Sequence, residues 1–429
     1  MSKTLVVSYF QLRTLLKLSF WSVNGSCGFV DPVFLDKNQE VFRSSSHKME
    51  SAKPLKVNPI QPVSRKRRFV FAAVIYLGFI VILAAIELGT RILLPNLNSL
   101  DLFVNTSQQK LQVANEEQSK IFEGDPLLLW RLKPNLKSAV WDFTVLSTSS
   151  QHFRSDRVIA KKPASALRIV CLGDSVTFGY RVPVVWPDKP QEYDPEWLPF
   201  PMLLEKHLRA ANPSQEIEVI AMAVPGYTSH QGLAWLRRDV DFLQPDLLVV
   251  SFGWNDVSFS DAADRDAIRT NWYAVGTRWL IDRSQAFAHT TRWLRSGRQE
   301  QASPARRPVP RVSDQEFVNN IRAIVTIARA RSAGVIVMAA PYRDSVTNPP
   351  EAKLMIHYRD LLRAAMRQDQ IPFLEILELT EAAHPANEGW FGELIHPNHM
   401  GHRLIASELL KMFPQNRMFD GLRCPPLIP

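Results

Sequence analysis

Leu167-Arg-Ile-Val-Cys-Leu-Gly-Asp-Ser-Val-Thr-Phe-Gly179 opens with a short apolar run and breaks it at Gly173-Asp174-Ser175. A run this short and this apolar, closed by glycine, reads as a strand buried on both faces, as in a parallel sheet covered by helices. Four similar runs follow: Ile217 to Val224 (IEVIAMAV), Asp246 to Gly253 (DLLVVSFG), Gly334 to Pro341 (GVIVMAAP) and Ile371 to Ile376 (IPFLEI). Amphipathic stretches at Pro201 to Ala211, Ser229 to Leu243, Ser313 to Ser332, Glu351 to Arg367 and Pro397 to Phe413 alternate with them. The alternation predicts an α/β fold, a three-layer α/β/α doubly wound parallel sheet. Ser313-Asp-Gln-Glu316 is a capping box opening the helix before the fourth strand.

Doubly wound sheets collect their sites at the carboxyl ends of the strands, so the residues just past each run carry the functional reading. Ser175 sits there after the first strand, placed like a nucleophile, although an Asp or Ser cap on the next helix would explain the tripeptide equally well. The second strand is followed by Val224-Pro-Gly226-Tyr and the third by Gly253-Trp-Asn255-Asp256. A glycine amide and an asparagine side chain can both donate to a developing oxyanion, together with the backbone N–H of Ser175. Near the C-terminus, Glu393-Leu-Ile-His396 supplies an imidazole base and a carboxylate to orient it. The G-x-S-x-G elbow of α/β-hydrolases is absent, because Val176 and Thr177 follow Ser175. His396, His399 and His402, three apart with Glu393 nearby, form a rival metal-ligating row, but Pro397 and Gly401 interrupt the helix it would need, and no metal is expected. His230 and Asp256 read as structural residues near the site. Nucleotide-binding motifs are missing and no cofactor is implied.

Taken in order, these landmarks resemble the SGNH hydrolases, the GDSL esterase and lipase superfamily. The likeness runs from about Leu167 to Leu410. It implies a flavodoxin-like SGNH hydrolase fold, with Ser175 as nucleophile, Ser175, Gly226 and Asn255 as the oxyanion hole, and His396 as base. The family usually has aspartate three residues before the histidine; this sequence has Glu393. The resemblance implies hydrolysis of carboxylic esters through an acyl-serine intermediate, on acylated glycans or lipid esters. An O-acyltransferase using the same site and a catalytically inactive envelope-binding or assembly protein stay open as alternatives.

The remaining sequence bears on location. Among 429 residues, Lys and Arg number 51 against 42 Asp and Glu, and residues 1–68 hold twelve of the basic and four of the acidic ones. The basic excess is therefore an N-terminal arm rather than a groove for nucleic acid. Three widely spaced cysteines, Cys27, Cys171 and Cys424, offer neither a disulfide framework nor a thiolate zinc site. Phe69 to Ile86 is an uncharged apolar run whose 18 residues would span roughly 27 Å as a helix. With Arg65-Lys-Arg-Arg68 before it, the run is expected to be a single transmembrane helix, its N-terminus cytoplasmic and everything after about Leu94 extracytoplasmic. A buried core helix and a cleaved leader are the competing readings. The expected organisation is a poorly ordered cytoplasmic segment (1–68), the span (69–94), a juxtamembrane segment (95–160) with a helical piece at Thr106 to Phe122, the hydrolase domain (161–415) with long irregular insertions at 181–201 and 257–312, and a tail (416–429). Met49 is a second candidate start.

Overall fold

The computed structural model describes residues 64–97, 102, 120–184, 194, 196–260, 262–299, 308–343, 350–383 and 388–427. By internal contacts the chain forms two units, Met1–Arg68 and Phe69–Pro429, and the fold below belongs to the second.

Its centre is an all-parallel sheet of five strands: β1 (Leu167–Gly173), β2 (Ile217–Ala223), β3 (Leu247–Ser251), β4 (Gly334–Met338) and β5 (Phe373–Leu374), in the spatial order β5-β4-β3-β1-β2. In β1 every residue is buried, and successive side chains enter opposite cores. Val170 and Leu172 join the larger one; Ile169 and Cys171 join the smaller. That two-residue period with no polar face makes the strand legible as a central one. Helices α1 (Phe200–Ala211) and α5 (His399–Met412) pack together over the smaller core, while α2 (Ser229–Leu243), α3 (Asp314–Arg329) and α4 (Pro350–Gln368) cover the other face. This is the expected three-layer α/β/α arrangement. Ser313 caps α3 by accepting the Glu316 N–H at 3.3 Å. Strand order reverses between β1 and β3, which opens a crevice at their carboxyl ends.

Several stretches differ from the sequence reading. Residues 120–160 are part of the main core: hairpins Phe122–Asp125/Leu129–Leu132 and Ala139–Trp141/Thr144–Leu146 bury Ile121, Phe122, Trp130, Leu132 and Trp141 in the same cluster as β1 and α2. The core thus begins before residue 161. Most of the helix expected at Thr106 to Phe122 lies outside the described residues, and Phe122 itself opens a strand. The insertion after β3 is helical rather than irregular, with helices Asp264–Ala267, Trp272–Ile281 and Gln285–Gln299. Asn271 starts the second of these by accepting the Ala274 N–H at 2.9 Å. In the 181–201 insertion, residues 185–193 and 195 lie outside the described residues. Part of the tail is ordered, since Asn212 exchanges two hydrogen bonds of 2.8 Å with the backbone of Arg423.

Arg65–Leu93 forms a helix of 29 residues with none buried, which removes the core-helix reading of the apolar run. Among the described residues it alone is long and apolar enough to cross a membrane.

Candidate active site

At the end of β1, Gly173 lies where the chain must pass close to β3. A Cβ there would stand 2.7 Å from the Ser251 carbonyl and 2.1 Å from Thr177 Oγ1, so only glycine fits. Asp174 then caps the short helix Ser175–Phe178, its Oδ1 accepting the Val176 N–H at 3.0 Å. Its Oδ2 accepts from Asn255 Nδ2 at 3.2 Å, which ties the loop after β3 to the turn holding Ser175. Asp174 is buried, and burial pushes its pKa up to about 6. The helix ends at Gly179, with φ of +79°. Buried Arg154 clamps this end by donating to the carbonyls of Phe178, Gly179, Val145 and Val182.

Ser175 Oγ lies 2.8 Å from His396 Nε2, and His396 Nδ1 faces the Glu393 carboxylate in a short contact. An Nδ1–H donating to Glu393 leaves Nε2 to accept the Ser175 hydroxyl proton, the tautomer a general base needs. The hydrogen bond with His396 holds the Glu393 pKa below the ordinary carboxylate value against the opposing effect of burial, and Arg181 adds to the lowering. Arg181 donates to Glu393 Oε2 at 3.2 Å and to both oxygens of Asp142 at 3.2 and 3.3 Å, while the Tyr180 ring sits 4.6 Å from the His396 ring. The extra methylene of Glu393 is thus accommodated by a second tether on its carboxylate.

Gly226, in the loop after β2, has φ of +84°, a left-handed turn that glycine adopts without strain. Its carbonyl accepts from Arg311 at 2.8 Å, and buried Arg311 also pairs with buried Asp264 at 3.0 Å. Thr228 donates to the same Asp264 at 2.7 Å. The helical insertion therefore returns an ion pair that fixes the loop bearing Gly226. Asp256, beside Asn255, accepts from the Ser229 N–H and hydroxyl, and burial raises its pKa to about 7. His230 lies 3.4 Å from Glu316.

The three histidines of the rival metal row diverge. His399 stacks on Trp197 with ring centroids 4.1 Å apart, and His402 is buried, its Nδ1 accepting the Phe200 N–H at 3.2 Å. Burial drives the His402 pKa down to about 3. Among the described residues no group of three His, Cys, Asp or Glu side chains is placed to hold a metal. Beside His396, a cavity of 120 Å³ is walled by Tyr180, Arg181, Val184, Trp197, Glu393 and His399.

The model of the GDSL-like lipase/acylhydrolase family matches residues 171–404, a span that holds Ser175, Gly226, Asn255, Glu393 and His396. The chain belongs to this family. As a GDSL-like acylhydrolase it is a serine ester hydrolase. No curated protein matches its sequence. Similar solved structures include LAE5, an α/β hydrolase from the metagenome of Lake Arreo, Spain, at 19% identity over 59% of this chain and 95% of that one, with a TM-score of 0.37. A lipase/acylhydrolase from Enterococcus faecalis aligns at 19% identity over 58% and 96%, with a TM-score of 0.37. The acetylxylan esterase Axe2 from Geobacillus stearothermophilus aligns at 16% identity over 62% and 99%, with a TM-score of 0.38. In this GDSL-like acylhydrolase, sequence reasoning singled out Ser175, Gly226, Asn255, Glu393 and His396 but missed Arg181, Asp142, Arg311 and Asp264. The available signal was faint: Arg181 lies six residues after Ser175, and Arg311 lies next to last in the Pro/Arg-rich segment Ser303 to Val312.

Proposed function

We propose that the protein is a membrane-anchored, extracytoplasmic esterase that removes short O-acyl groups from envelope carbohydrate, with Ser175 as nucleophile and His396 as base. The observation that carries this reading is the line Ser175 Oγ, His396, Glu393, with 2.8 Å between hydroxyl and imidazole. In the proposed cycle, His396 Nε2 takes the Ser175 proton as Oγ adds to the ester carbonyl carbon, and Glu393 stabilises the imidazolium that forms. The Ser175 and Gly226 N–H groups and Asn255 Nδ2 receive the oxyanion. Collapse breaks the bond to the alcohol oxygen, which leaves with the imidazolium proton. Water, deprotonated by His396, then releases the acid and restores Ser175. The small cavity beside His396, with Tyr180 and Trp197 in its wall, supports a short acyl group on a sugar over a fatty chain. The unburied apolar helix Arg65–Leu93 and the basic cluster at Arg65 to Arg68 support anchorage with the N-terminus in the cytoplasm.

The test uses the full chain in detergent against p-nitrophenyl esters of increasing chain length and against acetylated glycans, with and without an unacetylated acceptor glycan. Preference for acetyl esters and release of free acetate are expected, and a fluorophosphonate probe should label wild type but not Ser175→Ala. Full activity in Ser175→Ala would overturn the mechanism. Acetate appearing on the acceptor glycan instead of in solution would make the enzyme a transferase.

A further inference from the structure

The insertion after β3 leaves large apolar side chains in solvent beside the end of the apolar helix. Trp272 is 85% exposed, Trp293 73% and Tyr273 70%, and Trp279, Leu280 and Leu294 are also exposed. Within helix Trp272–Ile281, residues 272, 273, 276, 279 and 280 recur at helical spacing and form one face, while Arg278 and Ile281 turn inward. Helix Gln285–Gln299 adds Trp293 and Leu294, and Ala288 is its buried counterpart. From Trp272 to Gln299 there are five arginines and one aspartate.

This hairpin is fastened to the residues that leave the apolar run. Glu87, the first charged residue after Ile86, accepts from the Ser284 hydroxyl and from the Gln285 and Ala286 N–H groups at 2.8, 2.9 and 3.1 Å. A carboxylate so placed caps helix Gln285–Gln299. Arg91 donates to the Arg283 carbonyl at 2.9 Å, and the Gln285 side chain bonds to both the N–H and the carbonyl of Leu97, at 2.7 and 2.8 Å. His289 and the Pro95 carbonyl are 2.9 Å apart. Leu97, Ile281 and Ala288 close a small apolar cluster between these segments.

We infer that the helices Trp272–Ile281 and Gln285–Gln299 form an interfacial membrane-docking element whose Trp272, Tyr273, Trp279, Trp293 and Leu294 side chains enter the outer headgroup layer of the bilayer crossed by the preceding helix. The inference rests on reading residues 69–94 as a span, and adds that the hydrolase domain is held against the lipid surface by a second contact. Two observations select lipid as the occupant. The Glu87 contacts set the start of helix Gln285–Gln299 at the level where the apolar run ends, so side chains next to it meet the boundary between hydrocarbon and water. The composition, tryptophan and tyrosine interleaved with arginine, suits that layer, where amphipathic rings and cations meet anionic headgroups.

The test places nitroxide labels on the full chain in proteoliposomes of phosphatidylcholine and phosphatidylglycerol, in a Cys27→Ser/Cys424→Ser background that retains buried Cys171. Single sites are Ile80→Cys in the apolar run, Tyr273→Cys and Leu294→Cys in the hairpin, and Val158→Cys as an exposed control. Accessibility is read by power saturation with oxygen, which partitions into lipid, and with a nickel chelate, which stays in water. The expected oxygen-to-nickel ratio at 273 and 294 is several-fold above that at 158 and below that at 80. A lipid-like signal at 80 with water-like signals at 273 and 294 overturns the docking element and leaves the anchor standing. A water-like signal at 80 overturns the anchor, and the docking proposal with it. Shielding of 273 and 294 from both reagents identifies a protein contact and overturns the proposal.

Discussion

At the scale of single residues, the proposed site turns on carboxylates that hold other side chains in place. Glu393 orients His396, and Arg181, itself held by Asp142, orients Glu393. Replacing Glu393 by Gln removes the negative charge and lets the amide N–H donate to His396 Nδ1, which selects the wrong tautomer, and should lower kcat by up to about 10⁴. Arg181→Ala leaves His396 and Glu393 in place but frees the carboxylate to swing, and should cost about 10 to 10² in kcat with KM little changed. Arg181→Lys should recover less than half of that loss on a logarithmic scale, because a single ammonium cannot bridge Glu393 and Asp142 as the guanidinium fork does. Steady-state kinetics on one acetyl ester, with circular dichroism to verify folding, checks both. Under the proposed mechanism, Asn255→Ala is expected to lower kcat about 10² to 10³ by removing an oxyanion donor. It should also cost about 1–3 kcal/mol of stability, because buried Asp174 loses the amide that bonds its Oδ2. Equal activity of Asn255→Ala and wild type would remove Asn255 from the oxyanion hole.

At the scale of elements, the insertion after β3 earns its length by returning Arg311 to the loop that carries Gly226. Arg311 and Asp264 are both buried, so removing one partner strands the other charge. Arg311→Ala should destabilise the domain by about 3–5 kcal/mol and depress kcat as the Gly226 peptide loosens. The double variant Arg311→Met/Asp264→Leu should regain most of the stability but not the kcat, since the Gly226 carbonyl still lacks its donor. Urea midpoints and kinetics across the double-mutant cycle separate the two effects. This clamp also marks where the sequence stops being readable. β1 and the Gly173-Asp174-Ser175 turn were legible because their causes are local: an apolar run, a glycine where no Cβ fits, and an acidic cap. The Arg311 bond to Gly226 joins residues 85 apart, and the Arg181 bond to Glu393 residues 212 apart, distances over which no pattern in the chain pairs one arginine with one acceptor. The hairpins at 122–146 escaped because strands of three and four residues hold too few alternations to show a period. The helices of the insertion escaped because their apolar residues lie partly outside, the reverse of the pattern that announces a core helix.

At the scale of the whole molecule, the site places ionisable groups where water cannot reach them, and the pH dependence of folding should record it. Asp256 is fully buried; its Oδ1 is bonded to Ser229, its Oδ2 finds no hydrogen-bond partner among the described residues, and burial raises its pKa to about 7. Asp174 moves the same way, to about 6. An unfolded aspartate releases its proton near pH 3.9. Between that value and about 7 the folded state therefore holds protons that the unfolded state has lost. The stability these two groups contribute is complete below the unfolded value and disappears as pH rises through 6 to 7. Glu393 and His402 oppose them. The lowered pKa of partly exposed Glu393 gives a small stability that is lost in acid. Buried His402, driven down to about 3, gives stability that is full above about pH 6.5 and lost progressively as pH falls below it, one group against two aspartates. The thermal midpoint of the full chain in detergent should accordingly fall from pH 5 to pH 8. Asp256→Asn keeps an oxygen for Ser229 and carries no charge to bury, so its midpoint should fall less and overtake wild type on the alkaline side. Parallel curves for the two proteins would mean that Asp256 titrates as an ordinary carboxylate despite its burial, and the electrostatic account of the strand ends would have to be rebuilt around Arg311.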